Sequence, residues 1–440
     1  MNVLNFNFCD FCGSGLNKNQ LLDDQENQGQ QICDYFISKQ KKMMNCIDQV
    51  QHGLASRILE PIATGNDTNG SYFLSFFSDA GESKTHGVYK PSLQSRGAID
   101  HSMAVRSRRG IPPGSQSFRE RLAYALLEEL YYDLVRLDVI SFKKSIIPTT
   151  VLAEIEHEVF GQNHRIGSYQ RFKRDRSSLD KASEKELEMV PLEEYFTLAL
   201  IDCLSLNTDC HLGNILYAKD PNLEIATLTL IDHGECFPEI LGLKEISLDW
   251  RYLPFARNPF PAPWIQLIDQ LDVRRLAKRI LTERDSANFK EKEKRTLTIS
   301  GEAIGVFVYA VASLQYFVRR FPEKPIALYV EYLSKHSQFG AEIKDREVEG
   351  RTKIVRLSAL TFPLAEEEFR SNYGDMENVQ IRRRDFGGGF VNDCKSYWQD
   401  AKKFLFKGKQ PSPQDVFASI DDLYSLAMKN QNSKIQGGFL

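Results

Sequence analysis

Thr208-Asp209-Cys210-His211-Leu212-Gly213-Asn214 and Ile231-Asp232-His233-Gly234 bracket two short apolar runs, residues 214–217 and 226–231. Between the runs lies Asp220-Pro221-Asn222, a turn signal, so the pattern predicts a β-hairpin. A hairpin brings its two ends together, which makes Asn214 and Asp232 neighbours with Asp209 and His211 flanking them. An Asn carbonyl beside an Asp carboxylate is an oxygen set suited to Mg²⁺, which keeps waters and takes other ligands from substrate phosphates. An Asp or a His nearby suits the orientation or deprotonation of a hydroxyl. Either motif alone fits a turn or a helix cap; the two around one hairpin favour a metal-assisted site.

Upstream, Gly87-Val88-Tyr89-Lys90-Pro91 puts a lysine at the end of an otherwise apolar strand. A lysine facing inward is costly unless it meets an anion, and nucleotide phosphates with a helix glutamate supply one. Residues 65–70 and the following Gly70-Ser71-Tyr72-Phe73 form a small-residue turn entering a strand, able to cover a phosphate with backbone N–H groups. Residues 116–137 carry Phe118, Leu122, Ala123, Leu126, Leu127 and Leu130 at helical spacing after Pro112-Pro113-Gly114. Residues 146–155 read as a strand and 191–206 as a second helix, entered through Glu193 and Glu194. Beyond Asp249 the pattern is mostly helical, ending in a helical stretch over 413–429. Strand-rich then helix-rich sequence predicts an α+β, two-lobed architecture with a cleft between.

These stretches resemble the phosphatidylinositol 3-/4-kinase branch of the kinase superfamily, and most of all the type II phosphatidylinositol 4-kinases. The resemblance is carried by GSYF (70–73), YKP (89–91), RERLAY (119–124), IGSYQRF (166–172), NTDCHLGNILY (207–217), LIDHGECFP (230–238) and DWRYLPFARNPFP (249–261). It implies a protein-kinase-like fold and an ATP-dependent kinase using Mg²⁺ or Mn²⁺, with a phosphoinositide headgroup as first acceptor. The alternatives are an atypical protein Ser/Thr kinase and a pseudokinase that binds inositol phosphates or membranes. On this resemblance Gly70, Ser71 and Lys90 hold ATP phosphates, Glu120 pairs with Lys90, and residues 167–172, with Ser168 and Gln170, form the adenine-holding hinge. Asn214 and Asp232 hold the metal, and Asp209 or His211 works on the acceptor hydroxyl. The implied division is a polar N-terminal extension (1–50), a β-rich N-lobe (51–166), a helical C-lobe (167–345) and a helical, basic C-terminal extension (346–440). The sequence departs from the family in lacking its palmitoylated cysteine cluster and in having Cys210 where a basic residue follows the catalytic Asp. Its Asn/Gln/Lys-rich periphery is similar to that of effector kinases that intracellular bacteria deliver into hosts.

Composition sets the outer bounds. The chain has 440 residues, 42% hydrophobic, with 56 Lys and Arg against 59 Asp and Glu, a net charge of −3. That excludes a generally basic nucleic-acid binder. The most apolar stretch, 303–318, is interrupted by Gly305, Ser313 and Gln315 and reads as a buried core helix. The N-terminus lacks the basic and apolar regions of a secretory signal, so the expected location is cytoplasmic, soluble or peripheral to a membrane. Cys9 and Cys12 form a CxxC, but Cys33 and Cys46 are too far apart to complete a zinc site, which favours free thiols. Basic residues cluster over 90–121, at Arg165, Arg171, Lys173, Arg174 and Arg176, at Lys143-Lys144 and at 382–384. They are either solvated loop charge or a surface for a phosphoinositide or soluble inositol polyphosphate. Residues 391–407, with Trp398, Phe404 and Leu405 among lysines, fit an acidic membrane surface or, in the favoured reading, packing on the helical lobe. Asp385-Phe386-Gly387 spells a kinase metal motif but lacks a catalytic loop upstream, and it reads as a basic loop.

Overall fold

Apolar and aromatic runs in the first 171 residues become a five-stranded sheet with a helix on each face. The structure is a computed structural model and describes residues 23–56, 59–63, 71–77, 83–92, 110–112, 114–137, 139, 146–160, 166–220, 225–240, 243, 246–286, 289, 297, 299–334 and 390–436. Helix α1 (Asp23–Ala55) leads into β1 (Leu59–Ala63), β2 (Tyr72–Phe77) and β3 (Ser83–Pro91), then α2 (Gln116–Arg136), β4 (Thr150–Glu154) and β5 (Ile166–Arg171). The sheet order is β1-β2-β3-β5-β4 and every neighbouring pair is antiparallel.

The stretch read as a polar extension is, from Asp23, a 33-residue helix. Its Phe36, Met43, Ile47, Val50 and Leu54 fall on one face at helical spacing and are buried. The last four pack with Leu74, Tyr89, Val151, Ala153 and Tyr169 against one face of the sheet. Polar residues on the outer face hid this stripe from a compositional reading. Gln51 pins the helix to the sheet: its amide donates to the Glu156 carbonyl at 3.0 Å and accepts from the Glu156 N–H at 2.9 Å.

The second correction concerns residues 167–172. The segment that the resemblance implied to be the hinge is strand: Gly167–Gln170 pairs with β3 on one side and β4 on the other and Arg171 with β3, leaving residues 172–176 to link the sheet to β6 (Ser177–Ser178). A segment paired on both edges is a central strand. Strand alternation then sends Ser168 and Gln170 to the face opposite Tyr169.

The remainder is built on helices. In order they are α3 (Glu184–Glu188), α4 (Leu192–Ser205), then β7 (Asp209–Cys210), the hairpin β8 (Ile215–Asp220) and β9 (Ile225–Leu230), and β10 (Ser247–Leu248). There follow α5 (Ala262–Asp269), α6 (Val273–Ser286), α7 (Gly301–Arg320), α8 (Ile326–Ser334), α9 (Phe390–Phe404), α10 (Pro413–Ala418) and α11 (Ile420–Gln436). Helix α7 is long and apolar enough to cross a bilayer, yet its apolar window is wholly buried inside the protein. Gly305 lets the Trp398 ring of α9 lie directly on the α7 backbone, where a Cβ would collide with it. Phe390 of α9 meets the Tyr309 ring edge-on and Tyr397 packs tilted against it, while Ile420, Leu423 and Ala427 of α11 are buried in the same core. So the stretch 391–407, helical as far as Phe404, packs rather than lying free, and Phe404 is its exposed large apolar residue at 64%.

Several expectations fall outside the described residues: the 65–70 turn with Gly70, the CxxC at Cys9 and Cys12, most of the basic run over 93–109, Lys143-Lys144, Arg165, and the segment 382–387.

Candidate active site

The sheet face towards α2 carries the first half of the site. Lys90, near the end of β3 and opposite Ser168 in register, extends its ammonium to two carboxylates: Glu120 Oε1 at 2.5 Å and Asp232 Oδ1 at 2.8 Å. Glu120 comes from the first turns of α2, whose residues 117–131 are buried, and its side chain has no exposed surface. Gln170 donates to Glu120 Oε2 at 2.9 Å and to Thr150 Oγ1 at 3.0 Å. The Gln170 amide N–H groups therefore fix the glutamate. The Ser168 hydroxyl is buried in the same wall. Ser71 is buried at the entrance to β2.

The hairpin carries the second half. Ile215 pairs with Leu230, and the Ile231 N–H donates to the Asn214 carbonyl at 2.9 Å, so the residues bracketing the hairpin sit side by side. Asn214 Nδ2 donates to the Asp209 carbonyl at 3.1 Å, which turns its Oδ1 to the other side of the amide. Asp232 has a left-handed φ of 62°, a conformation that costs a non-glycine residue about 1–3 kcal/mol and is held only by its surroundings. Its side chain keeps 31% of its surface exposed, against 12% for Lys90. The His211 ring folds back over Gly213, where a Cβ would come within 2.9 Å of it.

Electrostatics follow from this packing. Burial pushes the Asp232 carboxyl up, but the Lys90 ammonium outweighs it and, with His233 and His211, leaves Asp232 below its usual range. Burial and the Asp232 charge raise Glu120 despite Lys90. Burial works against the Lys90 ammonium, and the two carboxylates more than reverse it. Burial pushes the His233 imidazole down to about 4, so it is neutral at pH 7.

Lys90 of β3, Glu120 of α2 and Gln170 of β5 thus meet Asp232, with Asn214 at the other end of the hairpin and Asp209 of β7 and His211 adjoining it. Sequence reading missed Thr150, Asp202, His233 and Trp250. Asp202 had a visible signal, a carboxylate inside the apolar run Leu198-Ala199-Leu200-Ile201-Asp202-Cys203-Leu204. The basic run after β5 lines a cavity of about 450 Å³ through Arg171, Lys173 and Arg174, with Thr85, His86 and Phe172. Arg176 is spent on the Thr227 carbonyl at 2.9 Å. Among the described residues no group of three or more His, Cys, Asp and Glu is arranged to hold a metal. The Asn214–Asp232 pair is a smaller set, one that fits a cation sharing phosphate oxygens.

No family model matches the chain. It is 30% identical over 226 residues to the rice (Oryza sativa subsp. japonica) phosphatidylinositol 4-kinase gamma 4, covering 48% of this chain and 36% of that protein. It is 28% identical over 281 residues to the Arabidopsis thaliana phosphatidylinositol 4-kinase gamma 2, covering 58% and 47%. With the Arabidopsis phosphatidylinositol 4-kinase gamma 4 the figures are 29% over 224 residues, 48% and 38%. The matches span less than half the length of these relatives. Over about half its own length, then, the chain is similar to plant proteins named phosphatidylinositol 4-kinase gamma.

Proposed function

We propose that this chain is an ATP-dependent phosphotransferase of the phosphoinositide-kinase kind. In this reading the sheet with α1 and α2 is the first lobe of a kinase-like fold and the helices from α4 onward are the second. The observation that carries it is the Lys90 ammonium held between a buried glutamate and a partly exposed aspartate beside Asn214. Two carboxylates around one lysine leave an excess negative charge facing the opening, which suits a divalent cation brought with nucleotide phosphates. A Mg²⁺ or Mn²⁺ ion bound by Asn214 and Asp232 would offset the charge that develops on the transferring phosphate.

Each residue then has a task. Glu120, fixed by Gln170, orients Lys90, and Lys90 holds the nucleotide phosphates. The backbone N–H of Ser71, at the entrance to β2, is suited to covering them. Asp209 or His211 takes the proton of the acceptor hydroxyl as its oxygen bonds the γ-phosphorus and ADP leaves. Arg251 and Arg257, on the segment after Asp232, are suited to an acceptor that carries a phosphate. A phosphoinositide headgroup is the acceptor that best joins these features to the similarity with phosphatidylinositol 4-kinases. The relatives' names support neither the type II likeness nor the effector likeness.

The test offers γ-labelled ATP with Mg²⁺ or Mn²⁺ to phosphatidylinositol vesicles and, separately, to protein substrates. Label in the lipid supports the reading in full. Label in protein alone keeps the phosphotransferase and replaces the acceptor. No turnover with any acceptor overturns it.

A further inference from the structure

Helix α4 buries one carboxylate among apolar neighbours, and no part of the chemistry above uses it. Asp202 has no exposed surface. Its Oδ2 accepts the Trp250 indole N–H at 2.9 Å, and its Oδ1 accepts the Asn207 side-chain amide at 3.3 Å. The Cys210 thiol is also hydrogen-bonded to this carboxylate. The chain of contacts continues outward. Asn207 Oδ1 accepts the Asp209 N–H at 3.2 Å, and the Asp209 carbonyl accepts Asn214 Nδ2 at 3.1 Å. On the other side Trp250 belongs to the segment that enters through β10, whose Ser247 and Leu248 pair in parallel with Asp209 and Cys210.

We infer that Asp202 is a positioning residue that locks the 207–214 loop to the 247–257 segment, so that the hydroxyl-handling side chains and the acceptor-lining segment are set together. The inference deepens the phosphotransferase reading and rests on it for its functional consequence. An aspartate is suited to this junction because three donors converge on its two oxygens: an indole N–H, an amide N–H and a thiol. An amide at position 202 presents one acceptor oxygen and an NH₂ group, so at least one of the three donors is left facing another donor. The loss falls on the loop and the segment. None of the three donors touches Lys90 or Glu120, whose side-chain partners are each other, Asp232 and Gln170.

The experiment compares wild type, Asp202→Asn and Trp250→Phe, the second variant removing only the indole donor. Nucleotide affinity is measured by titration with a fluorescent ATP analogue without divalent cation, so that Asn214 as a metal ligand does not enter it; turnover is measured by γ-phosphate transfer with Mg²⁺, and amide hydrogen exchange is followed over residues 207–214 and 247–257. For Asp202→Asn we expect kcat to fall at least tenfold with nucleotide Kd within twofold, and exchange to rise in both segments together. Trp250→Phe moves the same quantities in the same direction by less. Turnover within twofold of wild type, exchange rising in one segment only or in neither, or a Kd that worsens in step with kcat each overturns the inference. If wild type itself transfers no phosphate, the phosphotransferase reading falls. The exchange measurement then still decides the lock: coupled loosening upholds it and any other pattern overturns it.

Discussion

Glu120 and Arg121 are consecutive residues of α2, and they belong to two ion clusters of different character. Glu120 faces the sheet, where one lysine meets two carboxylates and the outer one, Asp232, is 31% exposed. Arg121 faces α6. Its Nε donates to Glu283 Oε1 at 2.6 Å and its Nη2 lies 3.2 Å from Glu128 Oε2, while Arg279 reaches the same two glutamates. In this second cluster two arginines meet two glutamates, all four nearly solvent-free. The Arg121 guanidinium is held charged by Glu128 and Glu283 against burial, and the two arginines hold Glu283 below the usual carboxylate range against burial. A cluster whose charge closes on itself fixes one element against another. A cluster with a carboxylate in excess, opening to solvent, is built to take a further cation.

That contrast can be broken at several points. The largest effect is expected from Glu283→Gln in the closed cluster. It leaves two buried guanidinium groups with one carboxylate, and breaking a buried pair from one side costs about 3–5 kcal/mol. Denaturant unfolding should show this loss; a change below about 1 kcal/mol would mean the cluster is not closed in the way described.

Asp232→Asn in the open cluster should do the reverse. It leaves Lys90 with Glu120 at one charge each, so stability holds, while phosphate transfer falls by about 100-fold or more, the scale of losing a placed electrostatic group. Turnover near wild type, or a large fall in melting temperature, would remove the distinction between the clusters.

His233 donates its backbone N–H to Glu120 and is the neutral neighbour of the open cluster. Burial holds its imidazole at about 4, against 6.5 in the unfolded chain. Below pH 6.5 the unfolded state therefore binds a proton that the folded state refuses. Stability from this group is complete above about pH 6.5 and declines as the pH falls towards 4, by roughly 3 kcal/mol in all. Urea unfolding of wild type and His233→Gln between pH 4 and 7 checks it: the variant should show a shallower pH slope, and equal slopes refute the assignment.

The smallest effect belongs to an ion pair outside both clusters. Arg274 and Asp421 join α6 to α11, but their side chains are 42% and 73% exposed. Solvent screening leaves such a pair worth less than about 1 kcal/mol, and Arg274→Ala should shift unfolding by no more than that. A larger loss would extend the closed cluster to the C-terminal helices.

The sequence foretold these regions unequally. The charged stretch of α6, Val273-Arg274-Arg275-Leu276-Ala277-Lys278-Arg279, looks like a solvated face, because nothing local says that Glu128 and Glu283 will neutralise Arg279 in the interior. Glu128, on the same helix as Glu120, turns to the arginines and not to Lys90, since it lies seven residues after Arg121 and so shares its face of α2. The α1 stripe was hidden by its polar outer face, and the hinge that the family resemblance implied at 167–172 is a strand, since pairing on both edges leaves no local mark.

What the sequence determined by itself is local. One hairpin, with its turn and its two apolar runs, was enough to set Asn214 beside Asp232, because β-pairing between neighbouring strands fixes which ends meet. The helical spacing of α2 and the long apolar stretch of α7, interrupted at Gly305, Ser313 and Gln315, were likewise legible in order along the chain. Tertiary structure decided everything that needed distant segments to meet. It brought Lys90 to Asp232 across 142 positions, placed Asp202 under both Asn207 and Trp250, and laid Trp398 on Gly305. A periodic pattern says that a face is apolar or charged; only packing says which partner covers it, and for charged groups that partner decides whether they are scaffold or site.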